Sequence, residues 1–185
     1  MFRRKTKKMQ EQKKTKKGTT LLEVIVVISI ITIMTGVSLV YFGAQRQVKE
    51  VEAEAQKFAA VLREMQNNAL TGKQVDDLKV PCAFGVRFDQ NNNKVYIPYY
   101  TYHAPGVVVT DPATECAQED IVSDVLESGV EFSSGAGANE YEFTLPHGRA
   151  NVSGKTIITL RHPTGHTVDI CMEVTGRVGV GSECE

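Results

Sequence analysis

The sequence predicts an α+β fold: one long N-terminal helix, apolar in its first half and amphipathic in its second, packed on a C-terminal antiparallel β-sheet head. Three observations predict it. Residues 24–45 carry no formal charge, a run long enough for a helix to cross a hydrocarbon core. Between residues 48 and 69 apolar side chains recur at helical spacing. Beyond Gly72 the pattern changes to short β-type runs separated by turn residues.

A chain of 185 residues is sized for one compact domain plus an N-terminal extension. Its formal charge of −1 hides an asymmetry. Residues 1–18 hold nine Lys/Arg and one Glu; taken from 21 basic and 22 acidic residues, this leaves 12 and 21 for residues 19–185, a net −9. A basic segment ahead of an apolar run reads as a cytoplasmic, positive-inside flank. The acidic remainder argues against nucleic acid as a partner. Four Cys behind an export-type N-terminus suggest two disulfides in an oxidising compartment.

The first element is a transmembrane helix over residues 19–42. At about 1.5 Å per residue, a helix over the uncharged run covers roughly 33 Å. An ordinary secretory signal has a shorter apolar region followed by small residues at a cleavage site. Here the small-residue junction, Gly18 and Thr19, precedes the apolar run, so the order is inverted. Glu23 opens that run. A carboxylate in lipid costs several kcal/mol, so Glu23 either has a partner or lies at headgroup depth on the first turn, complementing the helix dipole.

Residues 43–71 continue as an amphipathic helix. Val48, Val51, Ala55, Phe58, Leu62, Met65 and Ala69 form one stripe, with Lys49, Glu50, Glu52, Glu54, Lys57, Arg63 and Glu64 largely off it. A coiled-coil seam gives the same pattern, but only about three heptads are present, so packing against a sheet is preferred. Gly72 ends the helix.

The head occupies residues 72–185. Residues 84–88 and 94–102 read as a hairpin around the turn DQNNN, residues 140–145 as a strand, and residues 155–162 and 166–174 as a hairpin around PTG. The acidic stretch 111–128 is expected to hold a short helix over residues 123–127. Of the three connectivities open to four cysteines, Cys171–Cys184 and Cys82–Cys116 are preferred. The first would close the last strand onto the C-terminal tail and the second would staple the loop after the first hairpin. Tyr96, Tyr99, Tyr100 and Tyr102 alternate along one strand, which predicts half in the core and half as an exposed strip.

Metal and catalytic readings are weak. His162, His166, Asp169 and His147 show no tight ligand spacing, and Asp89, Asn91 and Asn93 imitate a calcium loop that lacks its Gly and Glu. No Ser/His/Asp or Cys/His set has a recognisable local context, so neither an enzymatic role nor a cofactor is expected.

Residues 16–37, KKGTTLLEVIVVISIITIMTGV, resemble the N-terminus of type IV prepilins and of the pseudopilins of type II secretion. The resemblance implies that residues 1–18 are a leader removed after Gly18 by a membrane prepilin peptidase, which also N-methylates Thr19. It implies a pilin fold, single-pass insertion in the inner membrane with an extracytoplasmic head, and assembly with other pilin or pseudopilin subunits. Glu23, fifth in the mature chain, would then pair with the N-terminal amine of a neighbouring subunit, two opposite charges that neutralise each other. A second, looser resemblance rests on F-x-L-P-x-G (residues 143–148), IITL (157–160) and GRV (176–178). It is similar to the head of the minor pseudopilin H type (GspH/FimT-like). Some members of that type bind DNA during uptake through a basic residue two positions after the Arg of the GR motif, and here that position is Gly179.

Overall fold

The computed structural model describes residues 20–75, 79–103, 116–134 and 140–184. It is an α+β protein. Helix α1 runs over Leu21–Thr71, and among the described residues ten strands follow it. The chain divides into two compact units between Phe42 and Gly43.

In the second unit the amphipathic stripe of α1 forms one wall of the core. Val51, Ala55, Phe58, Ala59, Leu62, Met65 and Ala69 are all buried, whereas Val48, at the head of the expected stripe, is 39% exposed. Gly72 takes a positive φ of 60°, and the Lys73 amide donates to the Asn68 carbonyl, the pattern of a Schellman C-cap.

Two antiparallel sheets share this core. The first contains β1 (Val80–Phe88), β2 (Val95–His103), β3 (Cys116–Asp120), β6 (Glu140–Thr144) and β7 (Arg149–Ala150) in the order β3-β2-β1-β6-β7, with β4 (Asp124–Val125) also paired to β2. The second contains β5 (Glu131–Ser134), β8 (Thr156–Arg161), β9 (Thr167–Met172) and β10 (Val178–Val180) in the order β10-β9-β8-β5. A 3₁₀ turn covers Gly181–Cys184.

Both expected hairpins form, as β1–β2 and β8–β9. The turn between β1 and β2 is closed by Asx geometry. The Asn91 amide donates to Asp89 Oδ1 at 2.9 Å and the Lys94 amide to Asn92 Oδ1 at 3.1 Å, so these side chains serve the turn. The helix expected over residues 123–127 is absent. Asp124 and Val125 pair instead with Tyr96 and Val95 of β2. Long-range contacts override local propensity here: Asp124 accepts hydrogen bonds from Lys57 of α1 at 3.1 Å and from the Tyr96 hydroxyl at 2.9 Å.

Aromatic side chains join the three layers. Phe58 of α1 lies 5.0 Å from Tyr96, 5.9 Å from Phe88 and 5.2 Å from Phe132, ring centre to ring centre; the first two belong to one sheet and the third to the other. Most of these rings meet edge to face, the favoured arrangement of aromatic quadrupoles. Tyr96 and Tyr100 also point into this core, with Tyr102 half-buried against it. Tyr99 points the other way, yet it is only 1% exposed. The expected exposed tyrosine strip is therefore absent, because the Tyr99 ring lies over Gly85 of β1, where there is no side chain to displace it.

Candidate functional site

The sequence directs attention first to the start of α1. Gly18 and Thr19 lie outside the described residues. Thr20 is the N-cap: its Oγ1 accepts the Glu23 amide at 3.3 Å. Glu23 is thus the third helical residue after a capping Thr, the T-x-x-E spacing of a capping box, and it stands at the positive end of the helix dipole. This gives the acid a local role that needs no second subunit.

The segment Leu21–Ser38 has mean hydropathy 2.3 and no residue of it is buried, so it is long and apolar enough to cross a membrane. Its hydroxyls are satisfied within the helix. Ser29, Thr32, Thr35 and Ser38 each donate to the carbonyl four residues back, to Ile25, Ile28, Ile31 and Met34, at 2.7–2.9 Å. Such bonding lets hydroxyl side chains sit in hydrocarbon without an open donor.

The head brings together the two motifs of the looser resemblance. Gly148, after β6, and Gly176, before β10, touch one another: a Cβ on Gly176 would lie 2.3 Å from the Gly148 carbonyl oxygen and 2.4 Å from Gln66 Nε2. A Cβ on Gly148 would meet Leu70 at 2.8 Å. Both glycines also have positive φ, and Gln66 Nε2 donates to the Thr175 carbonyl at 3.4 Å. The two loops are therefore seated on the last turns of α1, a packing reason for both glycines. Their successors, Arg149 and Arg177, are exposed and form no ion pair among the described residues.

Five other cations, two on α1 and three in the head, face acids. Arg87 pairs with Asp120, Arg161 with Glu131, Lys79 with Glu119, Lys57 with Asp124 and Arg63 with Glu183. Burial alone would raise the Asp124 carboxyl, but hydrogen bonds from Lys57, Tyr96 and the Val125 amide outweigh it and hold it below its usual range. Arg161 and Asn93 hold Glu131 below its own. Glu142 is shifted the other way, by burial first and by the neighbouring Glu140 charge second, against the opposing hydrogen bond from the Tyr99 hydroxyl at 3.4 Å.

The cysteines pair as Cys82–Cys116 and Cys171–Cys184. Two of the residues weighed as metal ligands serve other partners. His162 is buried, with Nδ1 bonded to the Thr164 hydroxyl at 2.7 Å, while Asp169 accepts the Thr159 hydroxyl at 2.7 Å. Among the described residues, one group of three ligand-type side chains is close enough to hold an ion: Cys82, His103 and Cys116. Sequence reasoning missed His103, because its proximity follows from strand register. Comparison with protein-family models, with curated proteins and with solved structures finds no match for this chain.

Proposed function

We propose that this protein is a structural subunit of the pilin class: a minor pseudopilin-like or pilin-like chain, cleaved after Gly18, N-methylated at Thr19, and held in the inner membrane by residues 19–42. It is drawn with its head into a type II secretion pseudopilus or a type IV pilus. The observation that carries the reading is one helix, Leu21–Thr71, that opens on a lone acid, continues through an unburied apolar span, and ends as the core helix of an antiparallel head. An acid at the mouth of an apolar span is stabilised when something positive meets it in the membrane, and a neighbour's free amine is such a group.

The capping geometry at Thr20 supplies the competing explanation, and two substitutions separate them. Gln serves as well as Glu at the third position of a capping box but carries no charge. Under the assembly reading, Glu23→Gln and Glu23→Ala both leave membrane insertion and cleavage intact and both reduce cross-linked oligomer or sheared filament yield. If Glu23→Gln assembles normally while Glu23→Ala does not, Glu23 is a capping residue and the charge-pairing role fails. Mass spectrometry of membrane-extracted protein is expected to find a mature chain beginning at N-methylated Thr19; an intact leader would sink the whole reading.

One observation favours a second function, DNA binding in an uptake system. Arg149 and Arg177 are exposed, form no ion pair among the described residues, and follow the two glycines that touch. Two cations are a small electrostatic footprint beside the acidic remainder of the chain, so the structural role ranks first.

A further inference from the structure

We propose that the corner formed by Cys82, His103 and Cys116 is a metal site when its disulfide is reduced, taking one soft or borderline cation of the zinc class through two thiolates and one imidazole. Three adjacent strands supply the ligands. In the β2–β3 register His103 stands directly opposite Cys116. In the β1–β2 register Pro81 pairs with Tyr102 and Ala83 with Thr101, which leaves Cys82 as the unpaired residue of a bulge. Bulges re-aim the side chain they carry, and this one brings Cys82 within bonding reach of a strand that is not its neighbour.

The geometry suits a small coordination sphere. The His103 ring nitrogens lie 3.7 and 3.8 Å from Cys116 Sγ, and the ligand atoms of all three residues fall within 4.8 Å of one another. A tetrahedral zinc ion with bonds of about 2.0–2.3 Å sets its ligand atoms roughly 3.5–3.8 Å apart, so the imidazole already stands at coordination distance from the sulfur. The side chains are half-buried, which leaves a fourth position open to water. Thiolate and imidazole together select zinc or copper(I) over calcium or magnesium. The second disulfide is the internal control. Cys171 and Cys184 contact backbone carbonyls of Glu183 and Asp169, and no third ligand joins them among the described residues.

The chemistry balances with a dithiol as reductant. The dithiol gives two electrons and two protons to the Cys82–Cys116 bond and becomes a disulfide, leaving two thiols. Metal binding then displaces both protons. The same three strands are tied in either state, by a covalent bond when oxidised and by the ion when reduced.

The test uses the full chain in detergent, carrying Cys171→Ser and Cys184→Ser so that one pair of sulfurs is present. After anaerobic reduction and removal of the reductant, cobalt(II) is titrated in as the optical probe. The expected result is a one-to-one complex with a thiolate-to-cobalt charge-transfer band in the near ultraviolet and visible bands of tetrahedral intensity, displaced by zinc. The oxidised protein shows neither. His103→Ala, which keeps both sulfurs, is expected to weaken binding by at least tenfold. Absence of the charge-transfer band in the reduced protein overturns the proposal, and so does an unchanged affinity in His103→Ala. Far-ultraviolet circular dichroism of the reduced apoprotein, taken before titration, must show the sheet signal; a reduced chain that has lost it and recovers none on adding zinc also overturns the proposal.

Discussion

Gly85→Ala is expected to be among the costliest single-methyl additions in the head. A Cβ at residue 85 would lie 2.6 Å from the Tyr141 carbonyl oxygen and 2.7 and 2.8 Å from Cζ and the hydroxyl of Tyr99. Two responses are open. If the sheet shifts to admit the methyl, overpacking costs about 1–3 kcal/mol. If the Tyr99 ring swings out, it loses its burial: an aromatic side chain covers roughly 150–250 Å², and at about 25 cal/mol per Å² the loss is about 4–6 kcal/mol, an upper estimate. A loss near 3 kcal/mol, or roughly 10 °C in Tm for a domain of this size, is the expected compromise. The assay is thermal unfolding followed by tyrosine fluorescence, which the absence of Trp makes direct. A double-mutant cycle with Tyr99→Leu tests the cause: the shorter side chain clears both close contacts, so Gly85→Ala should cost at least 1 kcal/mol less in that background. A full cost in the Tyr99→Leu background would refute the role given to the ring and leave the Tyr141 carbonyl as the sole obstacle.

Removing Cys82–Cys116 should destabilise more than removing Cys171–Cys184, because their sequence separations are 34 and 13; chain entropy gives about 3.8 against about 2.9 kcal/mol, and urea titration of the Cys→Ser pairs under non-reducing conditions checks the order. Glu142 titrates above its usual 4.5 in the folded state, so its ionisation costs stability as pH rises through that folded value. Glu142→Gln is therefore expected to raise Tm at pH 7 and to leave it nearly unchanged well below pH 4.5, read by melts across the pH range. For DNA, Arg149 and Arg177 beside the touching glycines form no ion pair among the described residues, and two neutralised phosphates give a salt slope of about −1.8. No duplex binding is expected at physiological salt in the low-micromolar range, and an electrophoretic shift abolished by Arg177→Ala would promote the uptake function.

What was legible in the sequence was mostly what is local or periodic. The stripe from Val51 to Ala69 identifies its own face, and the β1–β2 and β8–β9 hairpins announce themselves through DQNNN and PTG. The strand Cys116–Asp120 was not legible, because CAQED holds no β-branched or aromatic residue and ends in two acids, and it is a strand only by pairing with β2. Residues 123–127 looked helical until Lys57 and Tyr96 captured Asp124 from across the fold. Tyr99 departs from its expected place for a related reason. Alternation alone sends it to the surface, and only the empty space over Gly85, on another strand, lets it lie flat and buried. At the candidate sites, the spacing T-x-x-E could have signalled the capping geometry of Glu23, while nothing local marks His103, whose neighbours depend on a bulge in β1 and on the register of β3.

The contact between Arg63 and β10 sets an order of events in the life of the chain. Arg63 Nη2 donates to the Val178 carbonyl at 3.0 Å, across 115 residues of sequence. During synthesis, the helical stripe from Val51 to Ala69 is therefore made long before the strand that completes its cover. Until residue 178 has emerged, seven core side chains of that helix have no finished surface to meet. The apolar stripe is prone to aggregate in that interval unless a chaperone covers it. A chain stalled before β10 should accumulate as a chaperone-bound species, and a chain released just past it should not.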